Sequence, residues 1–260
     1  MKRKHNWILG GLLLAAVGLF LFSAVKLIQI YLEYQKGTDA YEELQDFVEK
    51  PNETEKAGGT DTGADSSEAN PWLQIDFNGL KNQNQDVVGW IQIPALEISY
   101  PVVQGTDNSY YLSHLFSSES NSNGSIFVDF HNKSDFVDQN TIIYGHNMKN
   151  GSMFGTLDRY EDEALYEQNP FFYVYVPDNI LVYQIFSCYA GQTGSSAYTY
   201  AFSDVNEFRS FVETIRGYAG YDTKVEITES DKIVTLSTCV NSRRDYRYLV
   251  HGKLIQKIRR

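Results

Sequence analysis

Beyond residue 86 the chain is a series of short runs rich in Val, Ile, Tyr, Phe and Thr, separated by Gly, Pro, Asn, Asp and Ser. Runs of this length and composition read as strands joined by turns. They cover residues 87–93, 98–103, 125–130, 141–144, 171–176, 180–189, 224–228, 233–238 and 246–255. Helical pattern is sparser. Residues 73–81 open the globular part, 158–168 lie in the middle, and 204–216 stand alone. In the last segment Val205, Phe208, Phe211, Val212 and Ile215 recur at helical spacing and make one apolar face. Many strands, few helices and no internal repeat predict a mainly β fold. The arrangement that satisfies it is a closed or nearly closed barrel with helices inserted in its connections.

The N-terminus carries a separate signal. Trp7 to Val25 is a run of 19 residues without a charge, and apolar character resumes at Leu27 and Ile28. A helix of that length nearly crosses the hydrocarbon core. Lys2, Arg3 and Lys4 precede it, so the positive-inside rule leaves the N-terminus in the cytoplasm and exports the rest. Ser23-Ala24 is a poor cleavage site, which favours an uncleaved anchor over a signal peptide. The expected order is a cytoplasmic tail over 1–6, a transmembrane anchor over 7–28, a polar helix over 29–50, a flexible spacer over 51–70, and an extracellular domain over 71–260. The spacer holds no large apolar residue and so cannot offset its ordering entropy by burial. The formal charge of −11 argues against nucleic acid as a partner.

Chemistry concentrates near the C-terminus. Cys239 ends an alternating run in which Ile233, Thr235, Ser237 and Cys239 share one face, and arginines follow at 243, 244 and 247. A lone cysteine is most often a small buried hydrophobe. Here hydroxyl-bearing neighbours and following cations point instead to a thiol at the rim of a sheet. Cys188, within an apolar run, reads as structural, and a Cys188–Cys239 disulfide would silence the thiol. His146 follows Gly145 at the end of the run 141–144, where a rigid strand can aim a side chain. If Arg247 opens the strand antiparallel to that of Cys239, both face one mouth, and a guanidinium suits a developing oxyanion. Asp129, His131 and His146 are a conceivable zinc set but lack tight ligand spacing. No acidic residue clearly orients His146.

Together these residues resemble the sortases, membrane-anchored cysteine transpeptidases of Gram-positive bacteria, and more closely their class B branch. Thr235-Leu236-Ser237-Thr238-Cys239 meets the family's Thr-Leu-x-Thr-Cys motif, while His146 and Arg247 match its histidine and arginine. Residues 75–77, 88–91 and 100–105, with 124–129 and Met153-Phe154, are also class B-like, and the resemblance covers roughly 71–258. It implies a sortase-type eight-stranded β-barrel with a helix before the cysteine strand, where 204–216 stands. It further implies that Cys239 attacks the Thr–Gly or Thr–Asn bond of a sorting signal on exported proteins. His146 protonates the leaving amine, Arg247 holds the carbonyl oxygen, and a peptidoglycan or lipid-linked precursor amine resolves the thioacyl enzyme. Asn108, Leu112, Tyr198 and Ser237 map onto substrate contacts. No cofactor or metal is implied. Val240 and Asn241 stand where some class B enzymes carry acidic residues, so signal preference does not transfer in detail. A surface cysteine peptidase, a pilus-assembling sortase and a non-catalytic binding domain are the alternatives.

Overall fold

The computed structural model describes residues 2–50 and 71–260. One long helix, α1 (Lys2–Glu43), begins the chain and runs into a short 3-10 turn, Leu44–Phe47. Its stretch from Gly10 is long and apolar enough to cross a membrane. The polar helix expected over 29–50 therefore continues α1 and stops at Glu43. The spacer expected over 51–70 lies outside the described residues. Its two flanks are tied together: β1 (Val48–Glu49) pairs antiparallel with β2 (Gln74–Ile75).

The C-terminal part of α1 belongs to the packed body. Tyr41 and Leu44 are buried, and the Tyr41 hydroxyl donates to the Gly124 carbonyl at 2.7 Å. Asn121 Nδ2 donates to the Glu33 carbonyl, and Lys36 pairs with Glu119. Packing therefore starts well before Pro71, where composition had placed it.

Eight strands close into a barrel: β3 (Val87–Ile93), β4 (Ile98–Val103), β5 (Ile126–Val128), β6 (Asn140–Tyr144), β7 (Phe171–Val176), β8 (Asn179–Gln192), β9 (Ile233–Val240) and β10 (Arg243–Arg259). The order around it is β10-β8-β7-β3-β4-β5-β6-β9. The β4–β5 and β6–β9 pairs are parallel and the others antiparallel. Closure leaves the barrel itself without an edge strand. Trp90, Val102, Ile126, Val234, Leu236 and Val250 fill the main core.

Helix α4 (Val205–Gly217) lies in the β8–β9 connection. Asp204 caps it, accepting from Asn206 N and Glu207 N at 2.8 and 3.0 Å, which is worth about 1 kcal/mol. Its apolar face, Phe208, Phe211, Val212 and Ile215, packs with Phe186, Ile233 and Leu249 in a second core. Each of those side chains contributes roughly 1.5–3 kcal/mol by burial. Strand β9 is therefore covered on both faces along most of its length, and its last residues are the first to reach the surface.

Three segments differ from expectation. Residues 73–81 are divided: Leu73 and Ile75 alternate into the core around β2, and α2 (Phe77–Gln83) starts only after Asp76, whose carboxylate accepts from Gly79 N. Residues 158–168 form a 3-10 turn (Leu157–Glu161) and α3 (Glu163–Gln168), separated where Asp162 turns to cap the second. Residues 224–228 are not a strand. Lys224 has φ +55°, outside the extended region, and Val225 and Ile227 pack beneath α4 instead.

Candidate active site

The ends of β6, β9 and β10 meet at one rim of the barrel. Cys239 is half-buried near the end of β9, and its antiparallel partner across the ladder is Arg247. Directly opposed residues project to the same face, so thiol and guanidinium share one side of the ribbon. A register shift between Arg243 and Arg247 starts β10 earlier than expected and leaves the tip of the hairpin irregular. Arg247 Nη1 donates to the carbonyls of Arg244 and Tyr246 at 2.9 and 3.0 Å. Its Nε and Nη2 have no protein acceptor among the described residues, so they are available to an incoming oxygen. Arg243 is exposed and stacks on Tyr246 at 3.3 Å.

His146 is brought to the same place by its neighbours. The register Tyr144↔Ser237 continues past the end of β6: Gly145 N donates to the Ser237 carbonyl at 3.1 Å, and Asn147 Nδ2 donates to the Cys239 carbonyl at 2.7 Å. The histidine backbone is thus held between two bonds to the cysteine strand. Its ring is oriented by a main-chain group, Nε2 lying 2.6 Å from the Leu112 carbonyl. A carbonyl only accepts, so Nε2 carries the proton and Nδ1 is the free nitrogen. Gly124 closes the back of the ring. It sits at φ +57°, and a Cβ there would meet His146 Cδ2 at 2.9 Å and the Tyr111 carbonyl at 2.7 Å.

The residues expected to touch substrate flank this rim. Tyr198, in the β8–α4 connection, shares a hydrogen bond with Ser237 at 2.9 Å. Tyr144 stacks nearly parallel on Tyr198, with centroids 6.3 Å apart. Burial, then the Asp129 carboxylate, pushes the Tyr144 hydroxyl well above its ordinary value. Asn108 lies in the β4–β5 connection and donates to Asp129 Oδ2 at 2.8 Å. The Leu112 side chain is exposed, while its carbonyl serves His146.

Other polar groups resolve differently. Asp129 and His131 bond each other at 2.8 Å, and His146 turns to Leu112. Among the described residues no group of three His, Cys, Asp or Glu is placed to hold a metal. Both cysteines are free. Cys188 is buried in β8, its Sγ 3.0 Å from the Tyr221 hydroxyl. Three contributors escaped the sequence reading: the Leu112 carbonyl, Asn147 and the acceptor role of Asp129. Asn147 stood next to His146 and could have been suspected. The carbonyl could not, because every residue has one.

A Sortase domain family model matches residues 91–255. The chain is 34% identical over 253 residues to Sortase B of Listeria monocytogenes, covering 95% of this chain and 96% of that protein. Sortase B from Bacillus anthracis in complex with AAEK1 superposes with a TM-score of 0.71 at 31% identity, over 88% of this chain and all of that one. A Staphylococcus aureus sortase B–substrate complex gives 0.66 at 32% identity, over 69% and 84%. A barrel with cysteine, histidine and arginine at one rim and similarity along nearly the whole chain lead to one conclusion: the chain belongs to the sortase family, in the class B branch of these cysteine transpeptidases.

Proposed function

We propose that Cys239, His146 and Arg247 carry the transpeptidation and that Asn108, Leu112, Tyr198 and Ser237 line the groove for the sorting signal. The observation that carries this reading is the direct pairing of Cys239 with Arg247, beside a histidine strapped to the same strand. Cys239 attacks the carbonyl of the scissile Thr–Gly or Thr–Asn bond, and the free N–H groups of Arg247 receive the oxyanion. The free Nδ1 of His146 takes the proton that the Cys239 thiol loses and passes it to the leaving amine, while its Nε2–H stays on the Leu112 carbonyl. A thioester on Cys239 results. An amine of peptidoglycan or its lipid-linked precursor then attacks, His146 takes its proton, and Cys239 leaves.

Helix α1 supplies the anchor in this reading, with Lys2, Arg3 and Lys4 inside and the barrel outside. Between Ile28 and Tyr41 there are only about 20 Å of helix at 1.5 Å per residue. Because Tyr41 is docked on the barrel, the domain sits close to the membrane.

A pentapeptide library with Thr–Gly and Thr–Asn bonds, incubated with and without a cell-wall-type amine, tests this reading. Ligated product that forms with the wild type and disappears with Cys239→Ala is expected. A Cys239→Ala protein that still cleaves the peptides would sink the assignment.

A further inference from the structure

We propose that Asp129 is a positioning residue of the transpeptidase, fixing the two sides of the peptide groove relative to each other. The inference rests on the reading of Asn108 as a substrate contact and extends it to a residue that touches no substrate. Asp129 lies just past β5, with its side chain only 7% exposed. Four donors converge on its two oxygens. His131 N and His131 Nδ1 meet Oδ1 at 2.9 and 2.8 Å. Asn108 Nδ2 and the Tyr144 hydroxyl meet Oδ2, both at 2.8 Å. Burial alone raises a carboxyl pKa, yet these bonds outweigh it and hold Asp129 below the usual carboxylate range, so it is an anion with its acceptor positions filled.

The partners make this more than a buried ion. Asn108 comes from the β4–β5 connection and is held at its other end too, its Oδ1 accepting from Phe130 N at 3.0 Å. That bond fixes which way the carboxamide faces. Tyr144 ends β6, two residues before His146, and stacks on Tyr198, which in turn bonds Ser237 on the cysteine strand. One carboxylate therefore joins a groove residue from one loop to an aromatic pair that leads to β9. His131, which supplies the other two donors, stacks on Tyr200 at 5.1 Å and ties the β8–α4 connection to the same centre.

An amide cannot replace this acceptor. If an asparagine at 129 turned its NH2 toward His131, it would face a main-chain N–H. Turned the other way, it would force Asn108 to flip, setting that residue's NH2 against Phe130 N–H. The first orientation breaks the tie to His131 and shifts the group on which Asn108 rests, and the second flips Asn108 itself; both leave Cys239, His146 and Arg247 in place.

The test compares Asp129→Asn, Asn108→Ala and the double variant in the full chain, using a fluorogenic peptide with a Thr–Gly bond. Asp129→Asn should raise KM about tenfold, the scale of one lost hydrogen bond to a charged group, with kcat within about twofold. Iodoacetamide should label Cys239 at the wild-type rate. In the Asn108→Ala background the second substitution should add less than about twofold. Tyr144→Phe, which deletes one donor without disturbing charge, should raise KM about threefold and keeps the idea testable if Asp129→Asn fails to fold. Unchanged KM in a folded Asp129→Asn or in Tyr144→Phe, a loss confined to kcat, or full additivity with Asn108→Ala would each overturn the role of Asp129. Cleavage by Cys239→Ala would instead overturn the underlying reading of the site.

Discussion

The β9–β10 ribbon and its β8 neighbour hold cysteine and histidine in two settings. At the rim, Cys239 pairs with Arg247 and stands next to His146, half-buried and flanked by unengaged guanidinium N–H groups. Farther down the ribbon His251 pairs with Thr235, and on the neighbouring strand Cys188 pairs with Val250. Both are enclosed. Burial pushes the Cys188 thiol up to about 11, in a pocket shared with the hydroxyls of Tyr221 and Tyr248. His251 is fully buried against Phe186, Tyr189 and Phe211, and burial pushes it down to about 3. The same residue types thus become neutral packing elements in the middle and remain accessible at the end. What separates them is where α4 and the barrel wall stop covering the ribbon.

That contrast can be broken from the rim first. Arg247→Ala removes the proposed oxyanion donors and should lower kcat by about 10²–10³, read in a peptide-cleavage assay. Retention of activity in Arg247→Ala would mean that the oxyanion is stabilised elsewhere. The buried histidine gives the next largest effect, in stability. Its folded pKa lies below the unfolded value near 6.5, so the unfolded chain takes up the proton first as pH falls. The stability associated with neutral His251 is complete above about pH 6.5 and declines between there and about pH 3. Between pH 7 and 5 this term amounts to about 2 kcal/mol. Urea unfolding at the two pH values should show a drop smaller by that amount in His251→Gln, and an equal drop in both proteins would contradict the assigned burial. Cys188→Ala should be the mildest: activity within about twofold of wild type, with stability reduced by about 1–2 kcal/mol in urea. Loss of turnover in a folded Cys188→Ala protein would erase the distinction between the two thiols.

The sequence was most readable where periodicity and closure agree. Strands β3, β4 and β7 begin and end where β-branched and aromatic runs do. The rim was readable only in outline: a regular tight hairpin closed by Val240 and Arg243 would set Arg244 opposite Cys239, and the register shift after Arg243 brings Arg247 there instead. Elsewhere single side chains overruled a propensity. Asp76 and Asp162 moved helix starts by capping new ones, and residues 224–228 kept their apolar character but used it under α4 and not in a ladder. The end of α1 was misjudged because its polar composition conceals a few anchors. Tyr41 and Leu44 are enough to dock it. The groove's supporting bonds were least legible, since the Leu112 carbonyl has no sequence signature and the sequence pattern around Asp129 does not mark it as an acceptor for four donors.

The most direct test of the central claim is to trap the acyl-enzyme. Incubating the wild type with a Thr–Gly sorting peptide, without any amine acceptor, and mapping the adduct by mass spectrometry reports which side chain carries the acyl group. The account predicts a hydroxylamine-sensitive thioester on the peptide containing Cys239 and none on that containing Cys188. An adduct on Cys188, or turnover with no thioester at Cys239, would contradict it.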